Sequence, residues 1–328
     1  MKSVRIETAV IEIINTCNLR CKHCYGQFEK PVVMKLDKFE LYLRQLYNCG
    51  TTRLTITGGE PFLLGDNLLN YIKVARRIGL PFIAVTTNGT VPLNNVEKII
   101  ESVDLMQISM DGNQKIHDEI RGDGTYKKTT EFIRKVAAIC NNKVGVMMSL
   151  HKINFSQLQF VHNFARHNNI SFAVEIVTPC GRGAGIDILD NIQMLFVRDY
   201  LKTNGISCND PITFCDKNSF KFFNRHLLAG CAAGVSALCI DSYGTVFPCA
   251  RLRIPMGNMA NGIESVFRSK LYENLNDRRL LKGRCAKCLF LYSCGGCRAR
   301  AFSIYNDYLA EDKYCITYIE KQVNENNS

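Results

Sequence analysis

The chain has 328 residues, of which 46% are hydrophobic and 22% charged. That composition supports a packed core in one large domain or two smaller ones and excludes wholesale disorder. The formal net charge is +11, but the 41 Lys and Arg residues are scattered without a run of five, so we do not expect a nucleic-acid partner. No apolar run is long enough for a spanning helix, and no signal peptide follows Met1. We therefore expect a cytoplasmic protein without membrane contact.

The 16 cysteines are the unusual feature of the composition. A disulfide framework is typical of short secreted chains, whereas this chain is long and shows no export signal. Closely spaced cysteines in a reducing compartment more often bind metal or perform redox chemistry. The cysteine spacings are therefore the place to look for function.

From residue 8 to residue 180, strand-like and helix-like patterns alternate. The strands are predicted at residues 9–14, 54–57, 82–86, 105–110, 144–150 and 172–177. Six β-then-α units predict an α/β fold with a parallel sheet. A partial barrel and a doubly wound sheet both fit, and in either one the functional face lies at the carboxyl ends of the strands.

The alternation ends near residue 205. Residues 229–300 are rich in Cys and Gly and show only short strand signals, such as residues 235–242. This composition predicts a small second domain that ligands stabilise more than a large core does. The predicted division is an α/β core at 1–205, a bridging segment at 206–228, a Cys-rich domain at 229–320 and a tail at 321–328.

The first cysteine motif directly follows the first predicted strand. Cys17, Cys21 and Cys24 form the pattern CxxxCxxC. Three thiolates can hold three irons of a [4Fe–4S] cluster and leave the fourth iron open, whereas a structural zinc ion normally takes four protein ligands. At the end of the second strand, Gly58 and Gly59 permit a close backbone approach, and Glu60 offers a carboxylate to an ammonium group.

These two motifs resemble those of the radical S-adenosylmethionine (radical SAM) family. In that family a CxxxCxΦC motif, with Φ aromatic, follows the first strand of a partial (β/α)₆ barrel, and His23 takes the Φ position here. The resemblance implies that the open iron binds the amino and carboxylate groups of S-adenosylmethionine. An electron from the cluster then cleaves the cofactor to methionine and a 5′-deoxyadenosyl radical, which abstracts hydrogen from a substrate. It also implies an electron donor such as a flavodoxin or ferredoxin.

The resemblance further implies which residues contact S-adenosylmethionine. The GGEP segment is expected to hold the methionyl amine, polar residues at the third and fourth strand ends the ribose, and an arginine beyond the fourth strand the carboxylate. The cofactor-binding residues are therefore predicted to be Gly58, Gly59, Glu60, Pro61, Asn88, Ser109, Asp111 and Arg121. A glycine-rich segment at 181–185 is expected to let the chain pass close to the barrel mouth.

Seven further cysteines resemble the SPASM extension of radical SAM enzymes, which binds one or two auxiliary [4Fe–4S] clusters. The final CxxxC of that family is one residue shorter here, between Cys294 and Cys297. By position, the distal cluster is expected to use Cys285, Cys288, Cys294 and Cys315. The nearer cluster is expected to use Cys231, Cys249 and Cys297, with Cys239, Cys215 or an open site used by substrate in the fourth position.

The substrate is less sharply predicted. SPASM relatives mostly modify ribosomally synthesised peptides or proteins through thioether or carbon–carbon crosslinks, epimerisation or oxidation, so we expect a peptide or protein substrate. The sulfatase-maturing subgroup carries an Asp after the cysteine that matches Cys249, and Ala250 stands there instead. Arg251 and Arg253 follow as candidates to meet substrate carboxylates.

Two alternatives stay open. Residues 294–301 and 307–312 are also similar to the tail of haem and haem d₁ biosynthesis members, which act on porphyrin propionates. The first strand lies within ten residues of Met1, which leaves no room for an N-terminal peptide-recognition domain. We therefore expect either a separate recognition protein or a substrate of the porphyrin type. The other alternative is a non-catalytic zinc-binding interaction protein.

Overall fold

The computed structural model describes residues 5–26, 31–92, 94–208, 210 and 230–326. Its centre is a parallel sheet in which the first six strands lie side by side in chain order. An order that never reverses belongs to a singly wound sheet, so the partial (β/α)₆ barrel is confirmed and the doubly wound alternative is wrong. All six predicted strands are present: β1 Thr8–Ile14, β2 Arg53–Gly58, β3 Phe82–Thr87, β4 Leu105–Ser109, β5 Val144–Leu150 and β6 Ser171–Ile176.

Helices alternate with these strands. The first, α1, shows why: Phe39, Leu43 and Leu46 recur at helical spacing and are fully buried. The second, α2, ends at Gly79, whose φ of 100° is the left-handed conformation that favours glycine at a helix end. The helices of this region are α1 Leu36–Asn48, α2 Leu68–Ile78, α3 Val96–Ser102, α4 Gln114–Arg121, α5 Thr125–Cys140, α6 Leu158–His167 and α7 Asn191–Thr203.

The two faces of the sheet differ in polarity. On β2, Leu54 and Ile56 are fully buried in the hydrophobic core, whereas Thr55 and Thr57 line a cavity inside the barrel. Successive side chains of a strand point to opposite faces, so an alternating strand has one packed face and one polar face. The same alternation continues on β4, where Ile108 is in the core and Ser109 on the cavity wall. The barrel interior is thus a cavity with polar side chains on its wall.

The Cys-rich region extends the same sheet. Strand β8 (Ala237–Ile240) runs parallel to β1 on its outer side, β9 and β10 continue antiparallel, and β7 pairs with β6 at the opposite edge. The remaining elements are β7 Ser207–Cys208, β9 Thr245–Phe247, β10 Gly257–Asn258, α8 Ile263–Phe267, α9 Lys270–Asn276, α10 Gly283–Ala286, α11 Arg298–Tyr305 and α12 Ile316–Asn326. One hydrophobic core includes residues of both regions.

The predicted domain boundaries stay predictions. Most of the predicted bridging segment, 206–228, lies outside the described residues, and Cys215 with it. At the other end, α12 continues across the boundary drawn at residue 320. None of the helices in the described ranges has the length and apolar character needed to cross a membrane.

Candidate functional site

The first three cysteines lie in the loop after β1, at the carboxyl end of the sheet. Cys17, Cys21 and Cys24 all line the barrel cavity. The loop is held from the neighbouring strand end, where Asn88 Nδ2 donates to Asn18 Oδ1 at 3.0 Å. Three thiols on one loop therefore face the same cavity.

The end of β2 packs directly on this loop. Gly59 N donates to Ile14 O and Glu60 N to Thr16 O, both at 2.8 Å. A Cβ at Gly59 would lie 2.0 Å from Thr16 O, and a Cβ at Gly58 2.3 Å from Ile14 O. No side chain fits at either position, so the two glycines are needed for the backbones to meet.

A second glycine pair closes the loop from the other side. Gly183 N donates to Cys24 O at 3.0 Å. A Cβ at Gly181 would lie 2.1 Å from Tyr25 O, and one at Gly183 2.8 Å from the backbone of His23. The expectation that residues 181–185 pass close to the barrel mouth is confirmed.

Glu60 is buried and accepts three hydrogen bonds. Its carboxylate accepts from Phe62 N at 3.0 Å, from Thr87 Oγ1 at 2.7 Å and from Asn88 N at 2.7 Å. Burial raises the pKa of Glu60 to about 7, although these hydrogen bonds favour the charged form. The same carboxylate forms part of the cavity wall, where it can meet an ammonium group.

Arg121 lies beside the thiols, and Asp111 holds it there. Asp111 Oδ2 accepts from Arg121 Nε at 2.6 Å, and its other oxygen accepts from Ser149 N at 3.0 Å. Although burial opposes it, the Arg121 guanidinium holds the pKa of Asp111 well below its usual range. Arg121 Nη1 lies 3.9 Å from Cys21 Sγ. Asp111 therefore positions Arg121 and does not itself reach the cavity wall.

The cavity brings together most of the predicted cofactor-site residues. The exceptions are Pro61 and Asp111, which are buried and do not line the cavity. The sequence-based prediction missed Thr87, which holds Glu60, and Thr178, whose buried Oγ1 has no partner. Both follow the ends of predicted strands, which is the signal that could have found them. The predicted residues on the wall are Cys17, Cys21, Cys24, Gly58, Gly59, Glu60, Asn88, Ser109 and Arg121.

Four of the remaining cysteines line a cavity of their own: Cys285, Cys288, Cys294 and Cys315. Backbone N–H groups point at their sulfurs, with Phe290 N 3.4 Å from Cys288 Sγ. Donors of this kind stabilise thiolates and so suit metal-bound sulfur. The grouping matches the predicted distal set.

Cys297 does not line the four-cysteine cavity. Its thiol is buried. Burial and, to a lesser extent, the neighbouring Cys231 raise the pKa of Cys297 and the pKa of Cys249, so these three thiols are neighbours. The candidate fourth ligand Cys239 is fully buried, with its Sγ 3.8 Å from Glu12 Oε1.

A buried ion cluster separates the two sets. Arg300 pairs with Asp210 at 2.8 Å and with Asp312 at 2.6 Å, and Asp312 Oδ2 accepts from Cys297 N at 2.8 Å. Since Arg300 and Asp312 also line the four-cysteine cavity, this cluster lies between the two cysteine sets.

A second cavity adjoins the barrel cavity, and Tyr25 and Arg251 line both. The arginines predicted to meet substrate carboxylates are already paired here. Arg253 contacts Glu12 at 2.5 Å and Arg251 contacts Glu175 at 3.4 Å. The pairing leaves the described walls of this cavity without excess positive charge.

Comparison with known proteins identifies the chain. A family model described as "Radical SAM superfamily" matches residues 11–165, and one described as "Iron-sulfur cluster-binding domain" (SPASM) matches residues 231–289. The chain belongs to the radical SAM superfamily. The predicted family, its SPASM extension and its cofactors, [4Fe–4S] clusters and S-adenosylmethionine, are confirmed, and the protein is an enzyme.

The similar curated proteins are of two kinds. The chain is 26% identical over 339 residues to an AdoMet-dependent heme synthase of Methanosarcina barkeri, covering 93% of this chain and 95% of the relative. It is 27% identical over 309 residues to the antilisterial bacteriocin subtilosin biosynthesis protein AlbA of Bacillus subtilis, covering 88% of this chain and 66% of the relative.

Among solved structures, the radical SAM enzyme shares its fold with Streptococcus suis SuiB bound to its precursor peptide SuiA. The TM-score is 0.76 at 19% identity, over 95% of this chain and 76% of SuiB. At that identity the likeness concerns the fold alone.

We predict that Gly59→Ala prevents a cluster from binding to the loop of Cys17, Cys21 and Cys24, because the added Cβ displaces Thr16 and Cys17. Iron content should fall by about four per chain, the content of one [4Fe–4S] cluster. Gly185→Ala is the matched control, since nothing lies within 4 Å of its Cβ position. Iron analysis of anoxically reconstituted protein measures the change, and full iron in Gly59→Ala would contradict the importance of the close contact.

Proposed function

We propose that this radical SAM enzyme modifies a ribosomally synthesised peptide or protein. The product class is a crosslink, an epimerised residue or an oxidised side chain. The proposal includes an electron donor of the flavodoxin or ferredoxin type and a separate peptide-recognition protein. It is supported by relatives named as a bacteriocin biosynthesis protein, a mycofactocin maturase and a sporulation killing factor maturation protein, and by the charge of the second cavity.

The barrel cavity fits the two groups that the reaction needs. Cys17, Cys21 and Cys24 would hold the cluster, with one iron free of protein ligands. Glu60 would bind the amine of S-adenosylmethionine, and Arg121 its carboxylate. When bound, the cluster supplies the electron that splits the cofactor and starts the radical reaction. The close backbone contacts of Gly58 and Gly59 fix the distance between the cysteine loop and the segment that carries Glu60.

The second cavity is where we place the substrate. It shares a wall with the barrel cavity through Tyr25 and Arg251, so a substrate there lies next to the site of radical formation. Phe247 and Phe302 contribute aromatic surface. Its two guanidinium groups are neutralised by Glu12 and Glu175. An environment without excess positive charge suits a neutral peptide segment better than an anion with several carboxylates.

The second candidate is modification of a tetrapyrrole side chain. One observation favours it: the heme synthase of Methanosarcina barkeri matches over nearly its whole length. Porphyrin propionates need cations, however, and Arg251 and Arg253 on the described walls of the second cavity are each paired with a carboxylate. Anoxic incubation with S-adenosylmethionine, reductant and either a candidate peptide or an iron porphyrin separates the two by the mass of the product.

The zinc-binding alternative is disfavoured by the spacing of the side chains. Within the part of the chain that the structure describes, no three His, Cys, Asp or Glu residues stand close enough together to hold a single metal ion. A structural zinc ion normally takes four protein ligands, whereas three thiolates can hold a [4Fe–4S] cluster with one iron open, so the first cysteine loop suits a cluster better than zinc.

We predict that the triple variant Cys17→Ala, Cys21→Ala, Cys24→Ala retains about eight of about twelve irons, since two auxiliary clusters remain. It should form no 5′-deoxyadenosine under dithionite, because the radical-forming cluster is gone. Chromatographic detection of 5′-deoxyadenosine measures this. Residual formation of that product would overturn the assignment of these three cysteines.

Glu60→Gln should weaken S-adenosylmethionine binding about tenfold or more, because it removes a charge-assisted contact to the amine. Iron content should stay unchanged, since residue 60 is not a cluster ligand in this proposal. Glu97→Gln, at an exposed position of α3, is the control. Equilibrium binding measures the effect, and an unchanged affinity would remove Glu60 from the proposed cofactor site.

Arg251→Ala should lower substrate conversion while S-adenosylmethionine cleavage without substrate continues, because Arg251 lies where the two cavities meet. Arg166→Ala on α6 is the control. Parallel assays of modified substrate and 5′-deoxyadenosine measure the two activities. An equal loss of both would show that Arg251 acts on structure instead.

A further inference from the structure

The surface above the four-cysteine cavity is unusually apolar. The loop between Cys288 and Cys294 carries Leu289, 96% exposed, and Tyr292, 68% exposed. Leu289 is the most exposed large hydrophobic side chain among the described residues. Clustered exposed apolar side chains mark interaction sites. We call this loop, with the neighbouring residues 279–287, the distal surface.

The distal surface is also basic. Arg279 is 77% exposed while its partner Asp277 is 31% exposed, and Lys282 is 63% exposed while its partner Asp307 is 31% exposed. The cations therefore extend further into solvent than the acids that pair with them. Residues 279–293 contain no Asp or Glu, but contain Arg279, Lys282, Arg284 and Lys287, of which the first three pair with carboxylates of neighbouring segments.

We propose that the distal surface docks an acidic one-electron carrier protein. The inference rests on the proposed function, in which Cys285, Cys288, Cys294 and Cys315 hold an auxiliary cluster. An apolar centre with a charged rim is the usual anatomy of a specific interface, and the positive rim complements an acidic partner. One electron passes between carrier and cluster, so that one is oxidised as the other is reduced and no bond forms or breaks.

The position of the docking surface follows from the distance between the carrier and the cluster. Electron transfer slows steeply as donor and acceptor separate, so a carrier must dock where a cluster lies nearest to solvent. All four cysteines of the distal set are partly exposed and line one cavity, whereas in the other set Cys231 and Cys249 are partly exposed and Cys297 is 3% exposed. The distal surface thus gives a protein partner a short approach to the cluster that these four cysteines would hold.

A competing basic surface lies beside the first cysteine loop, with Arg20, Lys22 and Lys128 around a shallow pocket. Lys22 pairs with Glu119 there. The described wall of that pocket has no exposed large hydrophobic side chain comparable to Leu289. We therefore assign exchange with the auxiliary clusters to the distal surface.

The test uses the reconstituted enzyme and a flavodoxin as the probe. Lys287→Glu with Leu289→Ser should weaken flavodoxin binding at least tenfold at low salt and slow electron exchange with the auxiliary clusters. Lys73→Glu with Leu41→Ser, on the outer helices, is the matched control and should change neither quantity. The proposed docking site would be wrong if Lys287→Glu with Leu289→Ser left the flavodoxin affinity unchanged. It would also be wrong if Arg20→Glu with Lys128→Glu abolished flavodoxin binding instead.

Two further measurements distinguish a failure of the docking site from a failure of the proposed function. With dithionite in place of flavodoxin, Lys287→Glu with Leu289→Ser should keep its iron and its 5′-deoxyadenosine formation. If that pair loses iron, Arg279→Glu with Tyr292→Ser repeats the test on the same surface. Absence of any peptide product from the unaltered enzyme would contradict the proposed function and leave the flavodoxin affinities as an independent result.

Discussion

The backbone contact between the ends of β1 and β2 is the constraint on which the rest of the site depends. Two hydrogen bonds, from Gly59 N to Ile14 O and from Glu60 N to Thr16 O, join the cysteine loop to the segment that carries the carboxylate. They form only because residues 58 and 59 have no side chain. A cluster on one loop and the amine of S-adenosylmethionine on the other would therefore be held at a fixed separation, which a one-electron cleavage requires.

Around this contact, charges are arranged in neutral pairs. Asp111 holds Arg121, Glu12 holds Arg253, and two aspartates enclose Arg300 between the cysteine sets. Buried charges are tolerated when they are paired and hydrogen-bonded. The consequence is a cavity system that is polar but not strongly cationic, which bears directly on the substrate.

Much of the fold was predictable because its signals are local. Apolar runs such as residues 9–14 marked the strands, and the motifs stood where those strands end. The cysteine order also separated the four that share a cavity from the others. The pairing of Arg253 with Glu12 was not predictable, since 241 residues separate them and only the position of β8 and β9 beside β1 brings them together. The role of Asp111 was also hidden, because its oxygens accept from Arg121 on α4 and Ser149 on β5, and only the folded chain shows these contacts.

The proposed reaction requires one cluster that has an iron without a protein ligand, next to Glu60 and Arg121. Electron paramagnetic resonance of the dithionite-reduced enzyme, recorded with and without S-adenosylmethionine, examines that iron. We expect the cofactor to change the signal of one cluster and to leave the auxiliary signals as they were. A spectrum that the cofactor does not alter, in protein with its full iron content, would contradict this expectation.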